Sequence, residues 1–422
     1  MKRNLATGFG PERAAASARV APRWRQRAAA LGLAGALHLL QLNRAHGENY
    51  AGYRYESYKE DDGRIRIETQ AFSFQQRLRP WVDVKGEVVY DAISGATPTG
   101  APPPSQLNIL NLDGTPAAGP FSTKVPVSSM HDIRWAGGLE PTFSFGSHRI
   151  TPGFSYSEEH DYVSYGAALN YAVDLNEKNT TLNVGWSHNW DKVYNDSRRL
   201  GIKGHKDSDD FLIGVNQLLS PKTVLTANFT FGNARGYLAD PYKGMVFDAY
   251  PQYYDPSDPS SPNPAYFDEK RPRHRERYIG YVSLTQYITP LQASLEGSYR
   301  FYHDSYGITA HTLGLTWYQK IGKHVTVAPL FRYYRQSGAD FYRTQMPGWP
   351  WDPTTPPYYS ADYRLSELES FTCGVSVNVK VTDWLTIDAA YKRYVMQGLD
   401  SITSSSAYPS AHIVTIGARL WF

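Results

Sequence analysis

The sequence predicts an all-β fold: a transmembrane antiparallel β-barrel of about 16 strands, with short turns on one rim and long loops on the other. Three observations predict it. Short segments that alternate apolar and polar residues recur along the whole chain, the period of a strand with two unlike faces. The connections between them alternate between short and long. An apolar leader opens the sequence, and its last segment ends in an aromatic residue, Phe422. With 32 Tyr, 17 Phe and 10 Trp among 422 residues, the chain is too rich in aromatics to be disordered. A single cysteine, Cys373, excludes an internal disulfide, a CxxC redox pair and a Cys-based zinc site, and reads as a lone small apolar residue.

In chain order, the one long apolar run is AAALGLAGALHLLQL, Ala28 to Leu42, behind a tail that holds Lys2, Arg3, Arg13, Arg19, Arg23, Arg25 and Arg27. About 15 apolar residues are short for a spanning helix, and Ala45-His46-Gly47 supplies small residues at a cleavage spacing. Residues 1–47 are therefore expected to be a signal peptide, with the mature chain starting near Glu48. A mitochondrial transit peptide is the alternative, since Glu12 is the only acid in that Arg-rich tail. Removing the leader leaves 35 Lys+Arg against 39 Asp+Glu, a net charge of about −4, so nucleic acid is not an expected partner.

Residues 48–422 are expected to form the barrel, with long loops at about 94–130, 191–207, 237–275 and 337–363. Within VLTANFTF, Leu225, Ala227, Phe229 and Phe231 share one face and Val224, Thr226, Asn228 and Thr230 the other. LQASLEGSYRFY sets Leu295, Gly297, Tyr299 and Phe301 against Ser294, Glu296, Ser298 and Arg300. WLTIDAAYKRY sets Leu385, Ile387, Ala389 and Tyr391 against Thr386, Asp388, Ala390 and Lys392. A soluble sandwich alternates in the same way, so the connections decide. Short turns fall at Arg79-Pro80, Gly146-Ser147, Asn176 to Asn179, Ser220 to Lys222, Thr289-Pro290, Gly322-Lys323 and Thr382-Asp383. Between them come 61–63, 158–161, 303–307, 397–409 and the four long loops, a two-rim layout that fits a barrel with both termini in the periplasm. The closing segment, HIVTIGARLWF, carries His412, Val414, Ile416, Ala418, Leu420 and Phe422 on one face; a terminal Phe resembles the signal read by the outer-membrane assembly machinery. Lipid cannot hydrogen-bond a backbone, so such a sheet must close on itself, which is why a membrane protein can have low mean hydropathy.

YKEDDGRIRIE at the first hairpin, YDAISGATPTG after the third strand and GVNQLLSPKTVLTANFTFGNARGYLADPYK across the eighth and ninth resemble a family of bacterial outer-membrane proteins filed as a domain of unknown function. That resemblance covers nearly the whole mature chain and implies a porin-like barrel in the outer membrane. It carries over no catalytic or binding residue.

Function then falls to the lumen and the loops. With the apolar face toward lipid, the inward face collects Asp83, Lys85, Glu87, Glu296, Arg300, Arg332, Asp388, Lys392 and Arg419. These charges either set the selectivity of a channel for small solutes or brace the wall as neutralising pairs. The loops 237–275 and 337–363 are rich in Pro, Tyr and Asp, suited to a lumen plug or an outer platform whose aromatics would also suit sugars. Asp255 and Asp258 hint at calcium without a recognised loop spacing, and no metal or cofactor is expected. His131-Asp132, His160-Asp161 and His303-Asp304 are possible acid–base pairs, but neighbours along a strand face opposite sides. No GxSxG or HExxH occurs, and an enzyme is not expected. The alternatives to a channel are a non-conducting barrel that docks or sheathes a periplasmic or surface partner and, further off, a surface hydrolase. Lipid and the assembly machinery are expected partners; the sequence does not fix the oligomeric state.

Overall fold

In the computed structural model, residues 49–194, 201–250, 252–254 and 266–422 are described. The expected signal peptide, Asp255 and Asp258 lie outside the described residues. The first half of the chain forms β1 (Tyr50–Glu60), β2 (Arg66–Arg79), β3 (Val82–Pro98), β4 (Ile109–Asn111), β5 (Val127–Phe145), β6 (His148–Glu158), β7 (Tyr162–Leu175) and β8 (Thr180–Tyr194). Next come β9 (Ile202–Ser220), β10 (Thr223–Gly236), β11 (Gly244–Val246), β12 (Gln252–Tyr254) and β13 (Tyr266–Asp268). The last seven are β14 (His274–Ile288), β15 (Ala293–Asp304), β16 (Thr309–Ile321), β17 (Val325–Gln336), β18 (Leu368–Lys380), β19 (Leu385–Gly398) and β20 (Ser410–Trp421). All but β4, β11, β12 and β13 join in chain order into one closed antiparallel barrel of 16 strands. β1 and β20 close it, in register from Tyr50 opposite Trp421 to Glu60 opposite Ala411. The Phe422 amide continues the ladder by donating to the Asn49 carbonyl at 3.1 Å.

The alternation seen in the sequence becomes two surfaces. Phe229, Leu313, Leu315 and Ile416 stand exposed on the outside, where a bilayer would cover them, while Lys320 on β16 and Arg419 on β20 take the alternate positions that face inward. Aromatic pairs flank this apolar band: Trp81 stacks on Phe145 at the short-turn end, and Tyr156 meets Tyr165 toward the opposite rim. Cys373 is exposed on β18, in register with Phe331 of the outward face.

On the loop rim the strands run further than the patterning suggests. β3 extends to Pro98 and β5 starts at Val127, while β8 reaches Tyr194 and β9 starts at Ile202. Backbone pairing continues above the bilayer, where water bathes both faces and the apolar alternation fades. Asp191 and Lys206, which read as loop residues, are cross-strand partners held by a 3.0 Å ion pair.

Beyond the strand ends the loops fold onto each other as a cap. β4 pairs in parallel with β12, and β11 pairs with β13. Met245, Phe247, Met346, Tyr359 and Ala361 form one small buried core, and Tyr306, Ile308, Ala339, Tyr342 and Leu365 a second. The chain turns into this cap at Gly236, whose φ of 111° belongs to the glycine region. A Cβ there would collide with the His205 carbonyl oxygen.

Candidate functional site in the charged lumen

The barrel disperses the nine sequence-selected charges over its inner wall. Asp83 accepts from the Arg77 Nε at 3.1 Å, and Asp388 lies 3.9 Å from Arg54. Glu296 accepts from the Tyr318 hydroxyl at 3.5 Å. Arg419 stacks over the rings of Tyr50 at 4.7 Å and Trp421 at 5.2 Å. These four are taken up by the wall itself. Lys85 and Glu87 line a cavity of about 500 Å³ that they share with Tyr50 and Glu140. Lys392 sits on β19 in register with Gly374 and Ile413. Arg300 and Arg332 come together on a second cavity of about 500 Å³ beneath the cap, and neither has an acidic partner among the described residues. Arg332 lies 5.6 Å over the ring of Tyr334.

The other groups around this second cavity come mostly from the cap. Leu238, Ala239 and Asp240 line it from the segment after β10, and Asp362, Arg364 and Leu365 from the segment before β18. Asp362 is almost wholly buried; it accepts from Arg271 Nη2 at 2.8 Å and from Arg364 Nε at 2.8 Å. Burial alone would raise its carboxyl, but the charges of Arg364, Arg271 and Lys243 overcome that and hold it well below the usual carboxylate range. Glu269 accepts from Arg271 Nη2 at 3.1 Å in an ion pair, Asp240 pairs with Arg364, and Asp304 pairs with Arg275. Lys243 is buried nearby, its amine donating to Thr97 Oγ1 at 3.1 Å. Arg271, Arg275, Arg364 and Lys243 thus face Glu269, Asp304, Asp362 and Asp240, four bases against four acids. Among the described residues, Arg300 and Arg332 remain as the uncompensated bases of this cavity.

Leu238, Ala239 and Asp240 also line a third cavity, of about 660 Å³, on the wall of β7 to β10. Its acids are Glu159, Asp161, Asp191, Asp210 and Asp240, set against Lys206, Arg275 and Arg277. The mouth is therefore basic on one side of the 238–240 segment and acidic on the other, a transverse field across any solute path.

Patterning found Arg300 and Arg332 but missed Arg271, Arg275, Arg364, Asp240 and Asp362. One signal was present for part of this set: RPRHRER puts Arg271, Arg273, Arg275 and Arg277 at every second position, and the last two turn inward on β14. A second repeat is Arg300-Phe301-Tyr302, Arg332-Tyr333-Tyr334 and Lys392-Arg393-Tyr394, which places a base and a tyrosine on the inner face of β15, β17 and β19.

Of the His-Asp dipeptides, His160-Asp161 joins a cluster on the loop rim, with Asp132 as the main partner. The His160 Nδ1 lies 2.8 Å from Asp132 and 3.9 Å from Asp161, so the short contact crosses from loop to strand. Asp132, His160 and Asp161 bring one ligand atom each within 4.8 Å of one another, a set that could hold a metal ion. Asp161 also accepts from the Tyr242 hydroxyl, which ties the lumen segment to this rim. Burial, then the charges of Asp132 and Asp161, push the Glu159 carboxyl up to about 7. A carboxyl raised above its unfolded value of 4.5 contributes stability that is complete below that value and lost as pH rises through about 7. Glu159→Gln should remove this loss. Thermal unfolding in detergent should show the variant gaining on wild type only as pH rises from 5 to 8; a pH-independent difference would contradict the assignment.

A closed antiparallel barrel with an apolar exterior and a charged interior defines an outer-membrane β-barrel protein. The chain belongs to the family described as Protein of unknown function (DUF3570), which it matches over residues 25–202 and 188–408. No curated protein matches the sequence. Among solved structures, the siderophore receptor PirA from Pseudomonas aeruginosa is similar at 12% identity and a TM-score of 0.42, over 89% of this chain. This chain spans 62% of that receptor's length. A bacterial polysaccharide outer membrane secretin is similar at 9% identity and a TM-score of 0.43, over 90% of this chain and 99% of the other. OmpT, an outer membrane protein of Vibrio cholerae, is similar at 10% identity and a TM-score of 0.40, over 89% and 97%.

Proposed function

We propose that this outer-membrane barrel is a channel for small solutes, narrowed at its mouth by the loop cap, and not an enzyme. The observation that carries the reading is the interior itself, where charged side chains line open cavities of about 500 to 660 Å³ in place of a close-packed core. The His160–Asp132 contact is read as a tie between a loop and the wall, not as a catalytic pair. Planar-bilayer recording across a salt gradient tests the channel. Wild type should give small or rare single-channel steps, and a variant with residues 241–270 replaced by a short Gly-Ser linker should give larger ones. Removing Arg300, Arg332 and Lys392 together should shift the reversal potential toward cations, because fixed charge sets the local ion population. If neither wild type nor the linker variant gives steps, the barrel is better read as a docking or sheathing component.

A further inference from the structure

We infer that Arg300 and Arg332 form a saturable binding site for a small organic dianion in the cavity beneath the cap. The inference deepens the channel reading and rests on it for its place in a solute path. Arg300 is in register with Thr312 on β16, and Thr312 with Tyr334 on β17, two residues beyond Arg332 on the same face. One strand and a two-residue offset therefore separate the two arginines, about 12 Å between their backbones at ordinary strand spacing and rise. Two long side chains across that gap can grip the two ends of one small molecule.

Charge balance sets the valence. Among the described residues, the remaining bases around the cavity are matched by acids of the wall and cap, which leaves two guanidinium charges facing water in a shared space. Like charges so placed repel each other, and a divalent anion relieves that repulsion while a monovalent one relieves half of it. Guanidinium groups also present paired donors that match a carboxylate or phosphate edge.

The remaining wall explains why the ligand should be organic. Leu238, Ile308 and Leu365 give the cavity apolar sides. Tyr302 and Tyr334 line it too, but their hydroxyls are already committed, donating to Asp304 at 2.6 Å and to Gln336 at 2.5 Å. The tyrosines therefore offer ring surface, and the arginines supply the polar anchors. A cavity of about 500 Å³ suits a molecule of metabolite size.

The test uses the full-length protein purified in detergent and calorimetric titration with succinate, inorganic phosphate, lactate and chloride at constant ionic strength. Succinate should bind saturably at one site per chain, at least ten-fold tighter than lactate or chloride. Arg300→Gln and Arg332→Gln should each weaken it at least ten-fold, whereas Lys222→Gln at a distant turn should not. Heat-modifiable gel migration shows whether each variant is folded, and Arg300→Lys, which keeps the charge, should restore part of the affinity if Arg300→Gln is not. Phosphate binding as tight as succinate would remove the organic part of the inference. No saturable succinate binding, or binding unchanged in both arginine variants, overturns the site. Binding without single-channel current leaves the site standing and removes the channel reading; current without binding does the reverse.

Discussion

Leu315→Arg should destabilise the barrel by about 2 to 4 kcal/mol, the cost of a charge on the lipid face near the bilayer midplane. Leu315 is the middle residue of the 13-residue strand β16 and stands exposed on the outer face. Thr316, one residue on, faces the lumen in register with Glu296, so Thr316→Arg should be nearly neutral because its head group enters water beside an acid. Leu295→Arg makes a graded control. Its strand begins at Ala293 beside the short turn, and Leu295 is in register with Trp317. Close to the interface the expected cost falls to about 0 to 1 kcal/mol. Refolding into vesicles and urea unfolding of the three variants measure the differences. Equal costs for Leu315→Arg and Thr316→Arg would show that the faces of β16 are misassigned.

Asp362→Ala should loosen the cap and leave the barrel wall intact. The carboxylate joins Arg271 and Arg364; without it the buried Arg271 keeps only Glu269 and Arg364 only Asp240, and removing one partner of such a buried cluster costs about 3 to 5 kcal/mol. The loss is local, because the strands keep their own ladder. Amide exchange in 237–250 and 337–367 should therefore rise by several orders of magnitude while the amides of β14 to β18 stay protected. On the channel reading proposed above, single-channel openings should become larger or more frequent. Asp362→Asn separates charge from shape: it keeps a hydrogen-bond acceptor but not the charge, so it should fall between wild type and Asp362→Ala. Unchanged exchange in both loop segments would mean that the two small apolar cores, not the ion cluster, hold the cap.

The strand segments were legible because the information for them is local. A residue two positions away along a strand shares its face, so LQASLEGSYRFY states its own orientation without knowledge of its neighbours. Membrane closure follows from physics, since an open edge in lipid would leave backbone groups unpaired. Arg300 and Arg332 could thus be placed on the inner wall from sequence alone.

The strand ends were less legible for the same reason. Above the bilayer both faces of a strand meet water, and stretches such as those around Asp191 and Lys206 lose their period although the pairing continues. The four strands of the cap carry three residues each, too few for any period to register.

By itself the sequence determined an all-β membrane barrel, its strand number and its two rims, and oriented the strands whose alternation is clearest. Only the tertiary structure decided which charges are free. Arg271 finds Asp362 at 91 positions' separation, and Arg64 reaches the Ser406 carbonyl at 342. Neutralisation of one arginine and exposure of another depend on loop crossings that no local period encodes. Coulomb attraction acts through space, so the basic cavity between Arg300 and Arg332 exists only once the loops have folded over it.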